Sequence, residues 1–241
     1  MQEAVRLHEA RGRAESGRAL LEGPKLLGEA VAAGIRVEQV FALPDDAPSA
    51  EAARACGAEL ILVDERGLRR LATTEHPQSP VAVMTIPPAV LPARGHLLVA
   101  WGVGDPGNVG SLIRCAAAFG FGFAAGPGTA DPWASKVLRA AAGGHFRAGA
   151  VRVESLDALR RGGRRLAATV ARDGIPPAAL PPGPLALLVG DEAHGLPDAV
   201  VEACDLAVTI PMPGGAESLN AAVAGAIVAY EVAVRGGAAG D

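Results

Sequence analysis

Cysteine is scarce in this chain of 241 residues, and the three that occur, Cys56, Cys115 and Cys204, lie far apart. A scattered, odd-numbered set excludes a disulfide scaffold and a four-cysteine metal site. Long apolar runs are missing as well. Half of the residues are hydrophobic, yet the longest nearly apolar stretch, 221–229, is about half of what a membrane-spanning helix requires. The hydrophobic half is mostly alanine and valine, and aromatic residues contribute only 3%. At the start, Gln2, Glu3 and Arg6 follow Met1 without a charged-then-apolar signal pattern, so the expected location is the cytoplasm. Lysine is nearly absent: Lys25 and Lys136 are the only two among 22 basic residues. Arginine is the better bidentate ligand for phosphate, although a GC-biased genome produces the same skew.

Positive charge is also lacking overall. A net charge of -4 taken alone argues against a nucleic-acid partner. By segment, residues 1–90 carry -3, residues 91–170 carry +6 and residues 171–241 carry -7. The middle third holds Arg114 and then Arg139, Arg147, Arg152, Arg160, Arg161, Arg164 and Arg165. The segment pattern reverses the first inference and predicts RNA binding that weakens with salt.

Five prolines and no sustained period mark residues 77–92 as the end of a first unit and a linker. The expected domains are 1–88 and 95–241. In the first, residues 23–33 and 49–56 read as helices, 39–43 and 59–63 as short strands, and 68–72 as a further short helix. That order fits a small α/β/α sandwich. In the second, apolar runs at 96–101, 121–125, 165–170, 185–189 and 206–210 read as strands, most of them separated by helical stretches. Continuous apolar strands alternating with helices imply an α/β fold with a parallel sheet covered on both faces. The Pro-rich stretch 175–184 reads as a loop.

Gly102, Gly104 and Gly107 spell GxGxxG after a strand and before a helix, which invites a dinucleotide-binding reading. Against it, Asp105-Pro106 puts a carboxylate and a missing N–H where a pyrophosphate needs donors. No acidic residue stands about 20 positions later for a ribose. A better account has Asn108 capping a helix over 109–119, with Leu112, Ile113, Ala116 and Ala117 buried. Arg114 then lies near the carboxyl end of a parallel strand, where α/β proteins bind ligands. Two more strand-to-loop turns follow, Gly190 to Pro197 and Pro211 to Asn220. Glu192 and His194 have no third ligand at metal spacing, so no metal is expected and His194 reads as exposed. Ser218 reads as the cap of a small-residue helix running to about Val234. Three such turns converging on one sheet edge make a cleft of loop backbone suited to a flat heteroaromatic ligand.

The segments Asn108-Val109-Gly110-Ser111-Leu112-Ile113-Arg114, Gly190-Asp191-Glu192-Ala193-His194-Gly195-Leu196, and Ile210-Pro211-Met212 through Glu217-Ser218-Leu219-Asn220 resemble the three motifs of the SpoU (TrmH) family. These are RNA 2′-O-ribose methyltransferases of the SPOUT class. Leu21-Glu22-Gly23-Pro24-Lys25 and residues 71–78 resemble an L30e-like substrate-binding domain found ahead of it, with a departure at Ser79, where glycine is expected. The resemblance implies a trefoil-knot C-terminal domain and a homodimer whose active site draws on both subunits. It also implies S-adenosylmethionine as cofactor and an RNA substrate, rRNA rather than tRNA. By motif position, Thr169, Val189, Gly190, Gly195, Ile210, Met212, Ser218 and Leu219 would hold the cofactor. Asn108, Arg114, Glu192, Ser218 and Asn220 would form the catalytic site, with Arg114 clamping a substrate phosphate and Glu192 holding Arg114. A tRNA methyltransferase and a non-catalytic RNA-binding module are the alternatives.

Overall fold

The computed structural model describes residues 1–88 and 90–237, in two compact units: 1–88 with 131–146, and 90–130 with 147–237. In the first unit the chain runs α1 (Gln2–Arg6), α2 (Ala10–Ser16), β1 (Arg18–Glu22), α3 (Pro24–Ala32), β2 (Val37–Ala42), α4 (Ala47–Cys56), β3 (Glu59–Leu62), α5 (Glu65–Leu71) and β4 (Val81–Thr85). The sheet order is β1-β4-β2-β3, with β4 antiparallel to both neighbours and β2 parallel to β3. The segment read as a linker therefore contains an interior strand. Prolines flank β4 without entering it, so its ladder N–H groups remain available.

Period-two alternation splits the side chains of this sheet between two cores. Ala19, Leu21, Val40, Ala82 and Met84 pack with Leu26, Leu27, Ala30 and Ala53. Leu20, Phe41, Val81 and Val83 pack with Ala4, Leu7, Leu68 and Leu71 on the other face. Two helices start earlier than their apolar periods indicate, because aspartates cap them. Asp46 accepts the Ser49 N–H at 3.1 Å, and Asp64 accepts the Gly67 N–H at 2.7 Å. At the departure from the family pattern, Ser79 Oγ accepts the Leu43 N–H at 3.2 Å.

The second unit begins with β5 (Leu97–Ala100), α6 (Pro106–Ala118) and β6 (Gly122–Ala125). The chain then gives α7 (Ser135–Ala141) and the start of α8 (His145–Ala148) to the first unit. It continues through β7 (Val151–Arg152), α9 (Leu156–Leu159), β8 (Arg165–Thr169), β9 (Leu185–Val189), α10 (Asp198–Glu202), β10 (Leu206–Val208) and α11 (Ala221–Gly237). The loop expected over 175–184 holds one 3-10 turn, Pro177–Ala179. All six strands are parallel, in the order β10-β8-β9-β5-β6-β7. Every residue of β5, β6 and β9 is buried, as strands covered on both faces require. Leu159 and Val200 cover one face. On the other, α11 comes so close that a Cβ on Gly225 would stand 2.5 Å from Leu112 Cδ2 and 3.1 Å from Val189 Cγ2.

Two caps differ from expectation. Asp105 caps α6 by accepting the Asn108 N–H at 2.9 Å, which frees the Asn108 side chain. Asn220 Oδ1 accepts the N–H groups of Ala222 (3.0 Å) and Val223 (3.2 Å), so Asn220 and not Ser218 caps α11. The aspartate at the head of α6 also stands where a dinucleotide pyrophosphate would have to sit.

Residues 131–146 are tied into the first unit by a buried ion pair and carry a buried histidine. Arg13 donates to Asp131 Oδ2 through Nε (2.8 Å) and Nη2 (2.5 Å), and through Nη1 to Leu7 O (2.7 Å). His145 Nε2 hydrogen-bonds Pro132 O at 2.7 Å, while its Nδ1 has no partner among the described residues. Burial pushes the imidazole pKa down to about 4. In the unfolded chain the same group titrates near 6.5. Between those values the unfolded state binds a proton that the native state refuses, so stability present above pH 6.5 is lost as the pH falls. We expect His145 to account for about 2 kcal/mol of the stability lost between pH 7 and pH 5. Denaturant unfolding of wild type and His145→Phe at both pH values measures it; an equal drop in both proteins would contradict this.

Candidate active site

The carboxyl ends of β8, β9 and β10 open into a cleft of about 610 Å³. Open parallel sheets place ligands at this edge. Three loops form its walls. Thr169 ends β8 and Arg172 follows it; after β9 come Gly190 to Leu196, and after β10, Ile210, Met212 and Glu217 to Leu219. Every residue expected to hold the cofactor, namely Thr169, Val189, Gly190, Gly195, Ile210, Met212, Ser218 and Leu219, lines it.

The second loop is closed by its own backbone. Gly195 N–H donates to Asp191 O at 2.8 Å, and Asp191 N–H to Gly195 O at 3.2 Å. Gly195 bends the chain at φ +67, and a Cβ on Gly190 would overlap the backbone of Gly195 and Leu196. Gly190 is thus needed for close approach rather than for an unusual φ. Asp191 accepts the Ala193 N–H at 3.0 Å, which holds its carboxyl below the usual range. His194 is exposed.

Three residues from the three motifs meet beside the cleft. Glu192 Oε1 accepts from Asn108 Nδ2 at 2.6 Å and from Asn220 Nδ2, and the Ala221 N–H approaches it at 3.4 Å. Asn220 Nδ2 also donates to Asn108 Oδ1 at 2.9 Å. Within one chain, then, Glu192 holds Asn108 and Asn220 rather than Arg114, its Oε1 accepting from the two amides freed from, or shared with, the helix caps. Arg114 does not line the cleft; it is exposed on α6 and has no hydrogen bond or ion pair among the described residues. Ser218 is exposed at the cleft wall.

The cleft fits S-adenosylmethionine on its own chemistry. Loop backbone supplies donors and acceptors for a flat base. The carboxylates of Asp191, Glu192, Asp198 and Glu217 suit a sulfonium cation. Asp191, Asp198, Glu217 and Arg172 escaped the sequence reading, and of these only Asp191 and Glu217 lie inside a motif segment.

The basic middle third is not one surface patch. Arg164 is buried with its guanidinium on the carbonyls of Gly95 (2.7 Å), Pro92 (2.5 Å), Arg94 (3.0 Å) and Arg161. Arg160 pairs with Asp205 at 2.7 Å, and Arg139 pairs with Glu22 at 2.9 Å. These three arginines serve the fold, so the segment charge overstates what RNA can meet. Among the described residues, no group of three or more His, Cys, Asp or Glu could hold a metal ion, and no helix is long and apolar enough to cross a membrane.

The model of the SpoU rRNA methylase family matches residues 95–230. The chain belongs to this family. An MRM3-like substrate-binding domain matches residues 1–82. This SpoU family member is 34% identical over 237 residues to the 23S rRNA (guanosine(2553)-2′-O)-methyltransferase RlmP of Bacillus subtilis, covering 94% of this chain and 93% of that protein. Across 97% of this chain and 96% of the other, its fold matches the SpoU methyltransferase AviRb from Streptomyces viridochromogenes in complex with AdoMet, with a TM-score of 0.87 and 29% identity. A putative TrmH-family RNA methyltransferase from Porphyromonas gingivalis gives a TM-score of 0.84 at 30% identity, over 97% of this chain and 96% of that one.

Proposed function

We propose that this SpoU family member is an S-adenosylmethionine-dependent RNA ribose 2′-O-methyltransferase, acting on 23S rRNA in the cytoplasm as a homodimer. The observation that carries this reading is the Asn108–Glu192–Asn220 cluster at the wall of a cleft lined by all eight expected cofactor residues. When bound, the cofactor supplies a methyl group already activated on a sulfonium. The chain then has to position a ribose 2′-oxygen in line with that group and help remove its proton. Glu192 fixes Asn108 and Asn220, and Asn108 keeps amide capacity free to orient the sugar. Ser218, at the same wall, can hydrogen-bond it. Guanidinium has no acceptor when charged, so Arg114 acts as a clamp on a substrate phosphate and lowers the cost of alkoxide formation.

Arg114 lies outside the cleft of its own chain, which supports an active site completed by a second copy. Along α11, Val223, Ile227, Tyr230 and Val234 are all exposed. Their three- and four-residue spacing makes one apolar stripe. It adjoins α6, where the Phe119 ring lies 5.9 Å from that of Tyr230. A buried dimer face is the simplest use of such a stripe. We expect Ile227→Glu to convert the dimer to a monomer in sedimentation velocity and to abolish methyl transfer. A monomeric wild type would remove the composite site.

Tritiated methyl transfer to bulk rRNA and bulk tRNA tests the activity. The reading predicts label in 23S rRNA; label confined to tRNA, or calorimetric cofactor binding with no label in either, would overturn it.

A further inference from the structure

The turn after β8 carries Arg172, which lies in no motif. Its backbone is pinned on both sides. Val170 N–H donates to Val208 O at 2.9 Å, Gly174 N–H to Thr209 Oγ1 at 2.9 Å, and Thr209 N–H to Ile175 O at 2.9 Å. Asp173 takes the left-handed conformation at φ +63, and a Cβ on Gly174 would stand 2.7 Å from Thr209 N. The turn is therefore pressed against the end of β10. The Arg172 side chain is exposed and has no hydrogen bond or ion pair among the described residues, although Glu217 lines the same cleft.

Two cavities meet at this residue. One is the cofactor cleft, lined by four carboxylates and by Arg172, the one arginine or lysine among the described lining residues. The other, of about 410 Å³, is walled by Arg172, Thr209, Pro211 and Gly215 and shares Ile210, Met212 and the Glu217 carboxylate with the first. A polyanionic strand brought to such a cleft is repelled by its carboxylates. A free guanidinium on a fixed turn at the rim offsets that repulsion and gives a phosphate a fork-shaped donor.

We propose that Arg172 holds a backbone phosphate of the RNA strand in the smaller cavity, beside the nucleotide being methylated. The assignment rests on the methyltransferase reading above. The strand then runs from the cofactor cleft across the end of β10, and Arg172 sets where the target ribose stops.

The test uses the full chain and unmodified 23S rRNA made by transcription. Filter binding over a potassium chloride series is read for wild type, Arg172→Ala and Arg172→Lys, with calorimetry for S-adenosylmethionine. Arg172→Ala should bind rRNA about tenfold more weakly at low salt and lower the log–log salt slope by about one. Arg172→Lys should recover the slope, and cofactor affinity should stay within about twofold in both. An unchanged slope in Arg172→Ala overturns the proposal. So does a loss of cofactor affinity, which would assign the guanidinium to the cofactor's carboxylate. A wild type that binds rRNA but transfers no methyl removes the methyltransferase reading, while the slopes still decide the role of Arg172.

Discussion

Arg114→Ala should lower the rate of methyl transfer by about a thousandfold, while S-adenosylmethionine binding stays near wild type. The magnitude is that of losing one preorganised donor at a developing oxyanion, about 4 kcal/mol. Arg114 is exposed and makes no intramolecular bond among the described residues, so its removal leaves no buried group unpaired. Stability should not change, which separates a catalytic loss from a folding one. Arg114→Lys keeps the charge but loses the planar fork and should fall between alanine and wild type in single-turnover rate. Wild-type turnover in Arg114→Lys, with only weaker RNA binding, would reduce Arg114 to a point charge for affinity and remove it from the chemical step.

Gly190→Ala should weaken cofactor binding by about a hundredfold, or about 2.7 kcal/mol. The added Cβ would meet backbone atoms of Gly195 and Leu196, which cannot rotate away as a side-chain tip can. That backbone is held by the reciprocal Asp191 and Gly195 bonds, so relief of the overlap has to open the loop that forms the cleft wall. Gly104→Ala is the control. A Cβ there meets nothing within 4 Å, and its cofactor affinity should match wild type. Calorimetry on both variants reads the difference, and equal affinities would mean that the 190–197 loop does not hold the cofactor.

The parallel domain was legible because strands buried on both faces show as uninterrupted apolar runs. The run at 185–189 is β9 to the residue, and the turns after it contain the glycines that close approach demands. The antiparallel sheet was harder. Prolines around β4 read as a linker, and β1 is not among the strands expected from the sequence, although these two strands form one ladder from Arg18–Thr85 to Glu22–Val81. Pairing partners 59 to 67 residues apart in the chain leave no local pattern. Helix caps were misassigned where several polar residues compete, as Asp105 does with Asn108 and Asn220 with Ser218; tertiary contacts decide which side chain is spared for the site. Charge was the least legible quantity. Arg164 and Arg172 count equally in a sum, yet one is buried on four carbonyls and the other is exposed at the cleft rim.

Whether the chain methylates a ribose 2′-oxygen of rRNA is read from the position of the methyl group on the product. Purified protein, S-adenosylmethionine and unmodified 23S rRNA are incubated, and the RNA is then digested and mapped by mass spectrometry with alkaline hydrolysis alongside. We expect one new alkali-resistant linkage carrying a single methyl on the ribose, absent when Arg114→Ala replaces wild type. A methyl group on a base, or alkali sensitivity unchanged along the whole RNA, would contradict it.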